Sequence, residues 1–324
     1  KIYKTVNVGY NWSQYVLPDT TNLQSIRFLN STTGFACGGR NINQYWSLQH
    51  LYKTTNAGAT WFKIQEMSGT MTDEVFTDVF PVDSVVYLTK GGYFMQGVTG
   101  SIYKSQNYGA NFISINFTSS ETFSKMSFVN TQTGWVTTSF GTDVPIVTRK
   151  VFKTTNGGQN WVMQYRDSIV QNVLISHNFE LQFVNQNTGF GLYKNIYSNN
   201  DVKFIKTTNG GITWDSTVLP YNYRAMFFAN DSLGWIGGSA SSLSNIMRTS
   251  NGGNNWHISW QSNEIINSIF FVNYSLGFAV GNNGVILRTF TSGLTGVNVL
   301  NISAETPSSY SLSQNYPNPF NPTT

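Results

Sequence analysis

Side chains able to carry out chemistry are few in this 324-residue chain, and they are widely separated. The three histidines, His50, His177 and His257, have no metal-ligand spacing, so each reads as a surface or strand-edge residue rather than a zinc ligand. The only cysteine, Cys37, has no intramolecular partner and stands in GFACGG, where related segments place Val, Gly or Ile. It is expected to be buried and inert. No Asp-x-Asp-x-Asp-Gly loop offers a calcium site, and Gly237-Gly238 and Gly252-Gly253 lie in hairpins, not in phosphate loops. Fifteen acidic side chains could supply an acid/base pair for glycoside hydrolysis, yet none recurs in a suggestive setting. No catalytic residue, metal or cofactor is therefore expected. The residues with binding chemistry are Tyr45, Trp46, Arg149 and Tyr197, in three long segments: Arg40 to Gln49, Gly141 to Lys150 and Asn195 to Val202. Aromatic side chains on such loops can stack on sugars or anchor a protein partner.

The elements that must position these loops are repetitive. The motif Thr/Ser-x-Asn-x-Gly-x-x-Trp, led by an apolar pair and a cation, recurs along the chain. Its copies carry the pairs Asn7/Trp12, Asn56/Trp61, Asn107/Phe112, Asn156/Trp161, Asn209/Trp214 and Asn251/Trp256, and a decayed seventh runs from Ile286 to Gly293. A period of about 40–50 residues means a solenoid, a propeller or an array. Upstream of each later copy lies a second block, such as SIRFLNSTTGFACGG (25–39) or SIFFVNYSLGFAVGN (268–282). Two apolar runs around an Asn- and Gly-containing turn predict a β-hairpin, strands A and B. The apolar-cation segment is then strand C, and the stretch after the Trp is strand D. Four short antiparallel strands repeated radially predict an all-β propeller, with the motif at each C–D turn. There the Asn is expected to cap backbone amides, and the closing aromatic to pack its apolar face beneath the turn.

Composition agrees with that class. Only 10% of residues are charged and 15% are aromatic, which suits a turn-rich β protein. The net charge of +4 is spread thinly, with no basic stripe, so no nucleic-acid partner is expected. No apolar run is long enough to span a membrane as a helix. Residue 1 is Lys rather than Met, as a removed N-terminal segment would leave it.

The combined pattern FxNxxxGFAVGxxGxIxRTxNGGxxW, over roughly residues 1–293, resembles the Asp-box of BNR repeats, with Asn for the usual Asp. It looks most like the photosystem II assembly-factor-like propeller repeat. That resemblance implies structural turns remote from any catalytic centre, and usually seven blades. Seven motifs stand against six A–B hairpins, so the expectation is six or seven four-stranded blades, leaning to seven. A sialidase-type glycosidase would need three converging arginines, a Tyr–Glu pair and an acid Asp. Of seven arginines, Arg248 and Arg288 occupy the repeat cation position, and the Arg-Ile-Pro signature is missing.

Residues 294–308 read as a linker and 309–324 as the beginning of a sorting signal. YPNPFNPTT resembles the opening of the C-terminal sorting domain of type IX secretion cargo, implying a bacterial cell surface or the medium. Five sites, Thr20, Ser84, Ser168, Ser216 and Ser232, resemble the Asp-Ser/Thr O-glycosylation pattern of such bacteria. The combined expectation is a secreted or surface-held, non-enzymatic propeller for binding, adhesion or assembly. Its partners would be a glycan, a protein, or copies of itself through the unpaired N-terminal strand edge. The alternative is an extracellular, sialidase-like glycoside hydrolase, marked by two opposed carboxylates and converging arginines on the axis.

Overall fold

The computed structural model describes residues 1–43, 46–69, 74–94, 97–115, 117, 122–138, 146–170, 179–194, 202–239, 244–262, 264–293 and 300–303. Six antiparallel sheets follow one another, each with four strands in the order A-B-C-D. They are blades one to six, over residues 22–69, 75–115, 123–170, 179–219, 222–262 and 266–303. Seven complete blades are not present among the described residues. The seventh expected unit is a two-stranded sheet, Ile2–Lys4 against Ser13–Tyr15, because no A and B segments pair with it there. Within the expected linker 294–308, Leu300–Ser303 is instead strand D of blade six, because it pairs with Val285–Arg288; residues 294–299 and 304–324, the sorting signal included, lie outside the described residues.

Blades adhere through a stacked aromatic seam. The phenylalanine ending strand A lies flat on an aromatic ring of strand B in the preceding blade. Phe128 lies 3.9 Å from Tyr87, Phe183 lies 3.5 Å from Trp135, Phe228 lies 3.5 Å from Phe190, and Phe271 lies 3.6 Å from Trp235. The glycine that opens strand B in blades three to six makes room for this. A Cβ on Gly134, Gly189, Gly234 or Gly277 would fall 2.2–2.5 Å from the phenylalanine of its own blade. None of these glycines has positive φ, so the Asn-xxx-Gly spacing records close approach of a ring rather than turn strain.

The aromatic that closes the motif packs against its own turn glycine, as expected, but in most copies it is not completely covered. Only Trp61 is buried, whereas Trp12, Phe112, Trp161, Trp214 and Trp256 are half-buried. The reason is that most of these rings reach from their own turn toward the seam as well. Trp61, Trp161, Trp214 and Trp256 meet the strand A phenylalanine of their own blade edge-on, at 5.9 Å from Phe28, 6.2 Å from Phe128, 5.8 Å from Phe183 and 6.1 Å from Phe228. Phe112 packs instead on the core around Phe35 and Phe76, between blades one and two. An indole is too large for a tight turn to cover completely, so one edge stays near solvent. That edge is tied down in three copies: Trp12 Nε1–H donates to Gly9 O at 3.2 Å, and Trp161 Nε1–H to Gly158 O and Trp214 Nε1–H to Gly211 O, both at 3.1 Å.

The C–D turns each repeat one hydrogen-bond set. In blade one, Thr54 Oγ1 accepts the Gly58 amide at 2.9 Å, and Asn56 Oδ1 accepts the Thr60 amide at 2.9 Å. Blades three, four and five match, with Thr154/Asn156, Thr207/Asn209 and Thr249/Asn251. The residue between Asn and Gly is left-handed in every copy, including Val8, Ala57 and Tyr108. Its amide donates to the A–B turn of the same blade: Ala57 to Thr32 O at 2.8 Å, Gly157 to Gln132 O at 2.8 Å, Gly210 to Asn187 O at 2.7 Å. Its carbonyl accepts the repeat cation of the preceding blade: Lys53 to Tyr108 O at 2.8 Å, Lys104 to Gly157 O at 2.7 Å, Lys153 to Gly210 O at 3.0 Å. The same cation sits over an aromatic ring, as Lys153 does 5.0 Å from Trp135. The repeated lysine is thus an interblade fastener.

Candidate functional site

The innermost strands, A, bring the only dense group of axial charges from blades one to four among the described residues. Strand A alternates its side chains, so that Ser25, Arg27, Asp78, Lys125 and Glu180 point toward the following blade near the axis. Asp78 is fully buried. One of its oxygens accepts Ser25 Oγ at 2.6 Å; the other accepts the Met126 amide at 2.9 Å and faces Arg27 Nη2 at 3.5 Å. Three blades therefore meet at one carboxylate. Ser127 and Gln182 make comparable clamps onto Phe183 and Phe228 backbone atoms. Burial raises the Glu180 carboxyl above the usual range, and the Lys125 ammonium only partly offsets it. Burial pulls Lys125 down, but Glu180 and Asp78 outweigh it and hold the ammonium charged.

The sequence-derived binding residues do not all reach the loop face. Trp46 does: it is exposed, beside strand C of blade one, at the end opposite the C–D turns. Tyr45 and Tyr197 lie outside the described residues. Arg149 is a correction, because strand C of blade three begins at Ile146 and takes it in. There the guanidinium is buried, 5.0 Å over the Tyr193 ring, and desolvation lowers its pKa. Of the modification sites, Thr20, Ser216 and Ser232 are exposed, whereas Ser84 is half-buried in the A–B turn of blade two. The Ser168 side chain is outside those described. Cys37 is buried, and burial pushes its thiol well up.

A second cluster was not legible in the sequence, because only the fold joins residues 19–21 to strands C and D of blade one. Thr21 Oγ1 lies 2.6 Å from His50 Nδ1 and 2.9 Å from the Tyr52 hydroxyl, and His50 Nε2 lies 3.1 Å from Glu66. Lys63 joins Glu66 to Asp19. A hydroxyl, an imidazole and a carboxylate in sequence have the connectivity of a nucleophile relay. Here the hydroxyl and the imidazole are both buried, so the group fastens the incoming N-terminal segment instead. Burial lowers the His50 pKa despite Asp19 and Glu66. With the folded pKa below the unfolded one, the unfolded chain binds the extra proton, so stability falls as pH drops through the ordinary histidine range. Thermal midpoints measured between pH 7 and 5 should decline, and His50→Gln should flatten that decline. An unchanged slope would remove His50 as its source.

The fold and these turns define a β-propeller of BNR-like type. No protein-family model matches the chain, nor does any curated protein. Among solved structures it is similar to YCF48 from Cyanidioschyzon merolae, at 15% identity over 88% of this chain and 86% of that one, with a TM-score of 0.60. It is also similar to the Hadza microbial sialidase Hz136, at 11% identity over 82% of this chain and 62% of that one, with a TM-score of 0.50. At such identities the likeness is one of fold alone.

Proposed function

We propose that this propeller is a non-enzymatic binding, adhesion or assembly protein, secreted or held at a bacterial cell surface. The observation that carries the non-enzymatic reading is the saturation of Asp78. Its two oxygens are engaged by Ser25, Met126 and Arg27, so the axial carboxylate is a clasp rather than an acid open to a sugar. The neighbours of this fold include a sialidase and a protein that is not one, so fold alone does not choose. The destination rests on the resemblance of residues 309–324 to a sorting signal. Protein found only in the cytoplasmic fraction of its bacterium would overturn it.

Trp46 supplies the exposed aromatic of the loop face. On a glycan array and against cell-surface proteins, Trp46→Ala should weaken binding by about tenfold or more, as truncating an anchor does. Fluorogenic sialosides and other glycosides should be left intact. One observation favours the alternative hydrolase: Glu180, whose carboxyl is pushed up by burial and by the Asp78 charge, shares the axis with Asp78, so two carboxylates stand near one another there. Turnover that disappears in Glu180→Gln would replace the binding reading with that one.

A further inference from the structure

Blade three departs from the repeat at one buried position. Four residues before the repeat cation, the other blades carry Gln49, Gly100, Val202, Ser244 and Gly284, whereas blade three carries Arg149. Two arginines are buried among the described residues, and one of them, Arg288, donates to Val8 O. Arg149, 1% exposed, donates to no acceptor among those residues. Its Nε and Nη1 are sealed off without a partner, and Nη2, which is not sealed, has none either. The guanidinium meets the face of the Tyr193 ring, 5.0 Å away. A cation–π contact by itself does not replace the hydrogen bonds to water that a buried guanidinium gives up.

The polar groups around Arg149 are engaged with one another. Arg149 stands directly opposite Asp167 on strand D of its own blade, yet Asp167 turns one oxygen to blade four. That oxygen accepts the Tyr193 hydroxyl at 2.6 Å and Lys203 Nζ at 3.1 Å. With its proton committed to Asp167, Tyr193 accepts the Tyr165 hydroxyl at 2.7 Å. Burial pushes both phenols up, so both stay neutral. The charges of the group then come to one positive, Arg149 and Lys203 against Asp167. The Lys203 and Asp167 side chains are 25% and 22% exposed, so the group opens to solvent between blades three and four.

We propose that Arg149 holds the carboxylate of a small ligand between blades three and four, with Lys203 as the second cation of the site. A buried donor left without an acceptor by its own chain calls for one from outside it. One negative charge is what the group lacks, and a carboxylate oxygen accepting from Nη2 supplies it in a charge-assisted hydrogen bond. Phosphate or sulfate would bring further negative charge with nothing to balance it. The carboxylate belongs to a short free acid or to an acidic sugar. The site lies two blades away from Trp46 and stands if the reading of that residue fails.

Thermal midpoints of the full chain in sodium acetate and in sodium glucuronate test the inference, with ionic strength held constant by sodium chloride. Expected is a saturable rise with both salts and none with glucose. A dissociation constant about tenfold lower for glucuronate assigns an acidic sugar, and equal constants assign a short free acid. Arg149→Met should lose the rise, and Arg248→Gln in blade five should keep it. Should Arg149→Met not fold, Arg149→Lys must bind about tenfold more weakly, because an ammonium lacks the guanidinium's fixed donors. No rise with either salt overturns the proposal, as when the chain's own Asp143 or Asp201, outside the described residues, fills the place. So does an unchanged rise in the Arg149 variants, a rise that never saturates, or a stronger response to sulfate than to acetate.

Discussion

Replacing Trp135 with alanine should lower the unfolding free energy by about 4 kcal/mol, the upper part of the range for truncating a buried aromatic. Its indole is fully buried, stacks on Phe183 at 3.5 Å and donates Nε1–H to Gly210 O at 3.2 Å, with the Lys153 ammonium over its face. Alanine would remove the ring, leave a cavity between blades three and four, and take from Gly210 O one of its two donors, leaving Lys153. Phe278→Ala is the matched control. The same strand position in blade six is half-buried and, among the described residues, its ring meets Trp12 edge-on rather than stacking, so its loss should cost about 1 kcal/mol. Urea unfolding of the two variants measures the difference. Equal losses would mean that the aromatic seam is not what holds neighbouring blades together.

Asp78→Ala should cost about 3 kcal/mol, because a buried acceptor is removed from two donors and a guanidinium. The Met126 amide and the Ser25 hydroxyl would lose the carboxylate oxygens they donate to, at 2.9 and 2.6 Å. Asp78→Asn should lose about half as much, since its one carbonyl oxygen can still accept one of them. Urea midpoints at constant m-value provide the measurement. A loss in Asp78→Ala no larger than that of an exposed carboxylate would return the residue to the list of chemical groups free to act.

The repeat was legible because its residues satisfy each other locally. Thr54, Asn56 and Gly58 complete their turn within a few positions, so spacing alone reports the geometry. What lay beyond sequence reasoning involves neighbours farther along the chain or in other blades. Trp161, Trp214 and Trp256 read as plugs under their own turns, but their second contact, edge-on to a strand A phenylalanine about thirty residues earlier, could not be read from the spacing. Gly134 reads as a turn glycine until Phe128 is seen to fill the space where its Cβ would stand. Arg149 reads as a loop residue, because its segment is long and polar, but the strand extends to Ile146 and buries it beside Tyr193. His50 reads as isolated because its partners, Thr21 and Glu66, are set by chain path and not by periodicity. The count of seven motifs against six hairpins pointed to the N-terminal edge. That Phe28 is exposed and Phe278 half-buried, while their equivalents in other blades are buried, could be recognised only from the structure.

The lysine contacts have one sense of rotation: Lys53 reaches forward to Tyr108, Lys104 to Gly157, Lys153 to Gly210 and Arg288 to Val8. Neighbouring units therefore meet through unlike surfaces, a heterologous association with a head and a tail. Such a series can gain or lose whole units without inventing an interface, and only the wedge angle between sheets decides when it closes. The ring has a polarity, and the N-terminal hairpin lies where its last unit hands over to its first.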